Sequence, residues 1–201
     1  MRRHHHDVRH SVTRAALITI DVHPQPAIER CIDAALEELA RLGVVATFFV
    51  TGAVGQAFAG AVRRTVSAGH QVGCHGLLHN SREWNGLDAE YYDELPEAEQ
   101  RRRLGVATAV LEHVTGRKVT AFRAPVFRVS GTTLRLLDEL GYTADVSINA
   151  QRLDVLSADP FSVRQLLAPR RPYHPSASNA FRRGTLRIWE IPLSAAGVPL
   201  A

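Results

Sequence analysis

Side chains that could bind a metal ion or move a proton stand in two separate segments of this 201-residue chain. In the first segment Asp21 and His23 are two residues apart, and in an extended strand this spacing places both side chains on one face. In the second segment His75 and His79 are four residues apart, which places both imidazoles on one side of a helical turn. Histidine pairs at this spacing are frequent zinc ligands, and they also occur as capping or hydrogen-bonding residues. If the two segments meet, the sequence predicts a site for a divalent metal ion such as Zn²⁺.

A third polar segment brings a positive charge, Arg123, to the end of a predicted strand. An arginine at the edge of a sheet is usually an exposed, solvated charge. Beside Asp21 it would instead orient that carboxylate and lower the pKa of Asp21. The position of Arg123 at a strand end therefore adds it to the candidate site.

The elements that must position these segments alternate between strand and helix. Short apolar segments rich in β-branched residues predict buried parallel strands at residues 15–21, 44–50, 71–74, 119–123, 143–147 and 186–191. Amphipathic segments predict helices at residues 27–42, 60–68, 96–113 and 132–140. Two segments without a clear period are predicted to be loops, residues 84–95 as a lid and residues 160–184. The alternation predicts an α/β protein whose parallel strands carry the site at their carboxyl ends.

Length and composition indicate one globular domain. A content of 45% hydrophobic and 22% charged residues excludes a chain that is disordered over its whole length. We expect residues 1–14 to form a disordered basic tail and residues 15–201 to form the domain. Two cysteines cannot build a disulfide framework. Because no segment approaches the roughly 18 uninterrupted apolar residues of a membrane span, and the basic start lacks the apolar segment of a signal peptide, we expect no membrane partner and a cytoplasmic location.

The positive charge of the chain is concentrated at its beginning. Of the formal net charge of +4, residues 1–14 contribute +3, and the remaining chain is nearly neutral. A phosphate-binding surface needs a basic patch on the folded domain. The sequence therefore predicts no nucleic-acid partner.

Three short motifs occur together with typical linking segments. The motifs are TIDVH at residues 19–23, HGLLH at residues 75–79 with AGHQVG before it at 68–73, and FRAP at residues 122–125. The linking segments are ATFFVTG at 46–52, LEHVTG at 111–116 and the Gly141-Tyr142 pair. Over about residues 15–193 the chain resembles the polysaccharide deacetylases of the carbohydrate esterase family 4 type.

The resemblance implies a deformed, often incomplete (β/α) barrel with parallel strands, and a hydrolase that removes an acyl group from an N-acylated sugar. A zinc or similar ion held by His75 and His79 would polarise the amide carbonyl and acidify a water molecule. Asp21 would take the proton of that water as the catalytic base, and Arg123 would hold Asp21 ionised and oriented. The substrate would be a carbohydrate or a small amide.

The chain departs from the family pattern in three places. His23 stands where the family usually has an acidic third metal ligand, so it is either a third imidazole ligand or a hydrogen-bonding loop residue. The family's last motif usually supplies a histidine as general acid, and IWEIPLS at residues 188–194 has none. The nearest candidate is His174, which could equally be a surface loop residue, and Glu190 is expected at the surface. The chain is also shorter than the roughly 250 residues of a usual (β/α)₈ barrel, so the barrel is incomplete or the chain is a fragment.

Candidate substrate contacts follow from the third motif and from the predicted lid. They are Pro125 and Phe127, which come directly after Arg123, and Trp84, which could stack on a sugar ring or simply pack the loop. Two alternative functions stay open. One is hydrolysis of another non-peptide carbon–nitrogen bond, such as a cyclic amide or ureide, which cytoplasmic members of the same family perform. The other is a non-catalytic relative that binds carbohydrate.

Overall fold

The computed structural model describes residues 16–79, 91–150, 164–165 and 167–193. These residues contain eight strands, Ile18–Val22 (β1), Ala46–Val50 (β2), Gln71–Cys74 (β3), Ala121–Phe122 (β4), Ala144–Asp145 (β5), Pro175–Ser176 (β6), Asn179–Arg183 (β7) and Trp189–Glu190 (β8). Six of them form one sheet in the order β1-β2-β3-β4-β5-β8, and every neighbouring pair is parallel. Strands β6 and β7 form a separate antiparallel pair. Because β1 and β8 are the two edges of the described sheet, the barrel is not closed.

Among the described residues, five α-helices connect the strands or pack on the sheet. They span Ile28–Leu42 (α1), Gly52–Ala57 (α2), Ala59–Ser67 (α3), Glu97–Thr115 (α4) and Gly131–Glu139 (α5). Helix α1 ends at Gly43, whose left-handed φ of 65° lets its N–H bond the carbonyls of the last turn. Helix α5 begins with a capping box between Ser130 and Thr133. In the part of the chain that the structure describes, no helix combines the length and apolarity that a bilayer span requires.

The hydrophobic core lies between the parallel sheet and the helices packed against it. Phe48 of β2 and Phe122 of β4 are fully buried. Leu104 and Leu111 of α4 and Leu137 of α5 belong to the same core. Because both faces of a parallel sheet are covered, its strands are apolar almost without interruption. The charged residues of these strands, Asp21, Asp145 and Glu190, stand at or next to the carboxyl ends, where a site can form.

The predicted fold class, an α/β protein with parallel strands in a deformed, open barrel, is confirmed. The strands predicted at 119–123 and 143–147 are also found, each reduced to two residues. The loop predicted at 160–184 is wrong in part, because it contains the β6–β7 hairpin, in which the Asn179 side chain accepts from the Phe181 N–H at 2.9 Å. The predicted tail at 1–14 and most of the predicted lid lie outside the described residues.

Candidate metal centre

Two segments of the candidate site leave the sheet at the same level. Val22 of β1 pairs with Val50 of β2, and Val50 pairs with Cys74 of β3. His23 and His75 are the next residues after these aligned strand ends. The parallel register therefore brings two segments that are 52 residues apart in sequence to one edge of the sheet.

The segment with His75 and His79 is a tight loop and not the helical turn that the spacing suggested. Gly76 and His79 have positive φ values of 75° and 48°, and these values are incompatible with a right-handed α-helical turn. The first amides of α2 hold this loop, since the Gly52 N–H donates to the Gly76 carbonyl and the Ala53 N–H to the Leu77 carbonyl, both at 2.9 Å. The loop reverses within four residues and turns the His79 ring back toward His75.

Three imidazoles meet at this edge of the sheet. One ring nitrogen from each of His23, His75 and His79 lies within 4.8 Å of the others. The His23 and His79 rings stack with centroids 4.0 Å apart, and Nε2 of His23 lies 3.3 Å from Nε2 of His75. Two nitrogens bound tetrahedrally to one zinc are about 3.4 Å apart, because each Zn–N bond is about 2.1 Å. The donor set therefore fits zinc, and that these residues hold a metal ion stays a prediction.

The surroundings of the three rings favour their neutral form. Burial lowers the pKa of His75 well below its ordinary value, and the neighbouring imidazoles lower it further. Burial also lowers the pKa of His23 and of His79, and the Asp21 charge opposes this effect in both. His75 Nδ1 lies 2.8 Å from the Arg123 carbonyl, which can only accept, so Nδ1 carries the proton. His75 Nε2 is then the ring's free lone pair, directed at the other imidazoles.

Arg123 is buried and spreads its guanidinium over three partners. Its Nη1 donates to Asp21 Oδ1 at 2.6 Å, its Nη2 to Thr19 Oγ1 at 2.8 Å, and its Nε to the Val146 carbonyl at 3.1 Å. The guanidinium also lies over the Phe49 ring, 4.5 Å from the centroid. The Arg123 side chain is 4% exposed and the Asp21 side chain 19%. The predicted pairing of Arg123 with Asp21 is therefore present, and Arg123 is a buried clamp with no role as a surface charge.

The residues after Arg123 form a strained turn. Pro125–Phe127 is a single 3₁₀ turn in which Val126 and Phe127 have positive φ values of 49° and 59°. Pro125 is buried against the histidine loop, so that a Cβ added to Gly76 would lie 2.9 Å from Pro125 Cγ. Phe127 lies near Arg123, with 5.6 Å between the guanidinium carbon and the ring centroid. That Pro125 and Phe127 contact a substrate stays a prediction, and Trp84 lies outside the described residues.

The structure does not bring His174 to the imidazole cluster. Its ring packs on Trp189 with 3.9 Å between centroids, and its Nδ1 lies 3.2 Å from the Ile188 carbonyl. These contacts are at the start of β8, whereas the candidate site follows the carboxyl ends of the strands. The expectation that His174 supplies the general acid is therefore not supported by its position. The surface position expected for Glu190 is wrong, because Glu190 is fully buried.

Sequence reasoning missed the residues that support Arg123. Thr19 could have been identified, since it stands two residues before Asp21 and therefore on the same face of β1. The Val146 carbonyl and the Ser147 side chain could not, because they reach the Arg123 segment only through the pairing of β4 with β5.

Comparison with known proteins places these features in context. Residues 10–144 match the protein-family model described as polysaccharide deacetylase. A peptidoglycan deacetylase-like protein from Gibberella zeae is 27% identical over 116 residues, which cover 57% of this chain and 31% of that protein. The chain thus spans about a third of this curated relative.

Solved structures share the fold at low sequence identity. A protein from Mycobacterium smegmatis described as a polysaccharide deacetylase is 22% identical with a TM-score of 0.63, covering 89% of this chain and 58% of that one. A family 4 carbohydrate esterase from Streptomyces lividans, in complex with acetate, is 21% identical with a TM-score of 0.55, covering 75% and 71%. A protein from Bacillus anthracis described as a family 4 pseudoenzyme is 21% identical with a TM-score of 0.57, covering 74% and 48%.

Proposed function

The chain belongs to the polysaccharide deacetylase family, and from this premise we propose that it is a metal-dependent hydrolase that removes an acetyl group from an N-acetylated amino sugar or polysaccharide. The substrate is accordingly a carbohydrate, and the cytoplasmic location expected from the sequence stays a prediction.

The observation that carries the proposal is the orientation of His75. Its Nδ1–H donates to the Arg123 carbonyl at 2.8 Å, so its Nε2 lone pair faces His23 Nε2 at 3.3 Å. A second unprotonated nitrogen at this distance is repulsive unless a proton or a cation lies between the two. A neutral His23 with its proton on Nε2 would satisfy this pair alone by a hydrogen bond, whereas a shared divalent cation also uses the nitrogen of His79. We propose the cation because one nitrogen of each of the three rings lies within 4.8 Å of the others.

The protein's own groups supply a base and its orientation. Asp21 stands beside the cluster, and its Oδ1 is held by Arg123, which leaves Oδ2 outside that bond to accept a proton from water. Thr19 and Val146 fix the guanidinium, so the carboxylate is oriented before a substrate arrives. A zinc ion bound by the three imidazoles would supply a Lewis acid for the amide carbonyl and for the oxyanion that develops on it.

A non-catalytic carbohydrate-binding role is the second candidate. It is favoured by the position of His174 away from the cluster and by His23 at a place that is usually acidic in the family. The similarity to a Bacillus anthracis protein described as a pseudoenzyme agrees with this alternative. Hydrolysis of a cyclic amide or ureide is a third possibility that the same catalytic groups would serve.

Zinc content and acetate release together test the proposal. We expect close to one zinc per chain by elemental analysis and acetate release from N-acetylated chito-oligosaccharides. Asp21→Asn should abolish nearly all of kcat while retaining the metal and the substrate affinity, because only the base is lost. An inactive wild type that binds the oligosaccharide as tightly as Asp21→Asn would establish the binding role, and cleavage of cyclic amides alone would establish the third.

A further inference from the structure

Two carboxyl groups outside the candidate metal centre are buried side by side. Asp145 ends β5 and Glu190 ends β8, and the two residues are direct partners in the parallel register. Both side chains are fully buried. Two ionised carboxylates at such a position would repel each other without solvent to screen them, so the pair needs a physical account.

The oxygen atoms of the pair have unequal numbers of hydrogen-bond donors. Asp145 Oδ1 accepts from the Ser147 hydroxyl at 2.7 Å, and Asp145 Oδ2 accepts from the Ser147 N–H at 3.2 Å. Glu190 Oε1 accepts from the Ile148 N–H at 3.2 Å. Glu190 Oε2 has no donor among the described residues. The ionised form of Glu190 would therefore bury an oxygen without a partner.

A proton on Glu190 resolves this imbalance. Asp145 and Glu190 are partners in the strand register and both are fully buried, and carboxylates are acceptors only, so a hydrogen bond between the two carboxyl groups requires a proton on one of them. Asp145 already has two donors and Glu190 has one, which assigns the proton to Glu190. The same conclusion follows from charge, because burial first and then the Asp145 carboxylate raise the pKa of Glu190 well above its ordinary value.

The charged and titratable groups around the pair are compatible with one negative charge. Arg123, which follows β4, stabilises the ionised form of both carboxyls, although its guanidinium is already bonded to Asp21. Tyr173 faces the pair from the segment before β6, where burial and the carboxyl charges raise its pKa. Its hydroxyl donates to the Ala180 carbonyl, so it gives the pair no hydrogen bond.

The pair is linked to the candidate metal centre through the backbone after β5. The Ser147 hydroxyl, which donates to Asp145, also accepts from the Ala124 N–H at 2.8 Å. The Val146 carbonyl accepts from Arg123 Nε at 3.1 Å. Asp145 thus holds Ser147, which holds Ala124, and the adjacent Val146 holds Arg123.

We infer that Asp145 and Glu190 share one proton carried by Glu190, and that this pair positions the Arg123-Ala124 segment and, through Arg123, both Asp21 and His75. The shared proton does not depend on what the protein does, whereas the effect on the metal centre rests on the proposed function. Both residues act through Arg123 and are positioning residues.

The first measurement is the protonation state of the two carboxyls by carbon-13 NMR of the metal-free 201-residue chain. We expect one glutamate carboxyl that is still protonated at neutral pH and is missing from the spectrum of Glu190→Gln, together with an ionised Asp145. Two ionised carboxyls, or a proton located on Asp145, would overturn the inference whatever the protein does with metal.

The second measurement compares two substitutions of Glu190. Glu190→Gln keeps a donor for Asp145, since the amide N–H replaces the carboxyl O–H, whereas Glu190→Leu removes it. We expect the Leu variant to broaden or shift the Arg123 Nε–H signal and to weaken zinc binding about tenfold, the usual effect of a lost group behind a ligand. The Gln variant should recover most of both effects. Equal behaviour of the two variants would reduce the pair to a packing role and contradict the inference.

A matched control is Asp138 of α5, which contacts the residue directly before β8. Asp138 Oδ1 accepts from the Ile188 N–H at 2.9 Å, so Asp138→Ala removes a support of β8 without touching the pair. It should leave the Arg123 Nε–H signal and the zinc affinity unchanged. If the wild type binds no zinc, the proposed function fails, while the carboxyl and Arg123 signals still decide whether the pair shares a proton and positions Arg123.

Discussion

Arg123 is the residue on which the geometry of the candidate site depends most directly. Its three nitrogens donate to the side chains of Asp21 and Thr19 on β1 and to the Val146 carbonyl after β5. A lysine ammonium is a single point charge and cannot span these three directions, although it keeps the positive charge. The site therefore requires the shape of a guanidinium as well as its charge.

We expect Arg123→Lys to lower the free energy of unfolding by roughly 2–3 kcal/mol, because buried hydrogen bonds to a charged group are lost and their partners stay buried. Urea unfolding of the metal-free protein measures this loss. Arg64→Lys is the matched control, since Arg64 also pairs through two nitrogens, with Asp33, but both side chains are nearly half exposed. Its effect should be much smaller than that of Arg123→Lys, because solvent screens an exposed ion pair. Equal losses in the two variants would show that burial of Arg123 has no energetic consequence.

At the scale of elements, the loop after β3 that carries His75 and His79 is held at Gly76 in a conformation that only glycine adopts easily. Gly76 has φ 75°, and a Cβ there would lie 2.9 Å from Pro125 Cγ and 3.0 Å from Tyr92 Cε2. We expect Gly76→Ala to destabilise the fold by more than the backbone strain of about 1–2 kcal/mol, because the loop and Pro125 must also move apart.

Gly43→Ala is the control for Gly76→Ala, because it introduces the backbone strain without the steric contact. Gly43 has a similar φ of 65°, but nothing lies within 4 Å of its added Cβ. Its cost should be the backbone strain alone, and zinc affinity should be unchanged, whereas Gly76→Ala should weaken zinc binding by moving His75 and His79. Urea unfolding and zinc titration of both variants check this, and a Gly76→Ala protein that binds zinc normally would contradict it.

The strand pair β5 and β8 gives a pH dependence with a defined sign. Burial raises the pKa of Glu190 above the ordinary 4.5, so the folded state holds a proton that the unfolded state releases. Its contribution to stability is complete below pH 4.5 and is lost as the pH rises through the folded pKa. Glu190→Gln does not titrate at this position. Relative to this variant, the free energy of unfolding of the wild type should fall by up to about 1.4 kcal/mol per pH unit between pH 4.5 and the folded pKa of Glu190.

The exposed Glu99 provides a control of opposite sign for the same measurement. Hydrogen bonds from Arg102 and Arg103 lower the pKa of Glu99 to about 2. A lowered pKa makes the contribution disappear as the pH falls, so any difference between wild type and Glu99→Gln should arise only in acid. Free energies of unfolding measured from acid to neutral pH distinguish the effect of Glu190 from the effect of Glu99. A wild type that gains stability relative to Glu190→Gln as the pH rises would contradict the assignment of the proton.

The sequence predicted those elements whose signals are local. Helix α1 has a clear amphipathic period and a terminal glycine, and strands β1 to β3 are continuous apolar segments. Helix α2 was missed because Gly52–Ala57 has no period, and its position depends on the Thr51 cap and on close packing of Gly52 against Ala107. The HGLLH spacing predicted nearby imidazoles correctly and a helical turn wrongly, since two positive φ values produce the same proximity.

The contacts that support the site could not be predicted, because they depend on strand order. Asp145 and Glu190 are 45 residues apart and become neighbours only because β8 pairs directly with β5, with β6 and β7 excluded from the sheet. Neither segment carries a sign of this pairing in its own sequence. The burial of Glu190 therefore follows from topology and not from residue type.

At the scale of the whole molecule, the candidate metal centre joins segments that follow two strands without direct pairing, β1 and β3. His23 follows the edge strand β1, and His75 and His79 follow β3, with β2 between them. Because the sheet is open and β1 has one paired side among the described strands, an ion bound to all three imidazoles adds a cross-link to an edge strand. Binding that is restricted to the folded state stabilises that state by mass action.

We therefore expect zinc at about 100 times its Kd to raise the free energy of unfolding by roughly 2.7 kcal/mol, which corresponds to a Tm increase of roughly 5–10 °C for a domain of this size. A chelator should reverse the increase, and Mg²⁺ should not produce it, because Mg²⁺ prefers oxygen ligands and the site offers three imidazole nitrogens. His75→Ala should lose the zinc-dependent increase, while Gly43→Ala should keep it from a lower starting Tm. Differential scanning calorimetry with and without zinc measures these shifts, and an equal zinc effect in His75→Ala would place the ion elsewhere on the molecule.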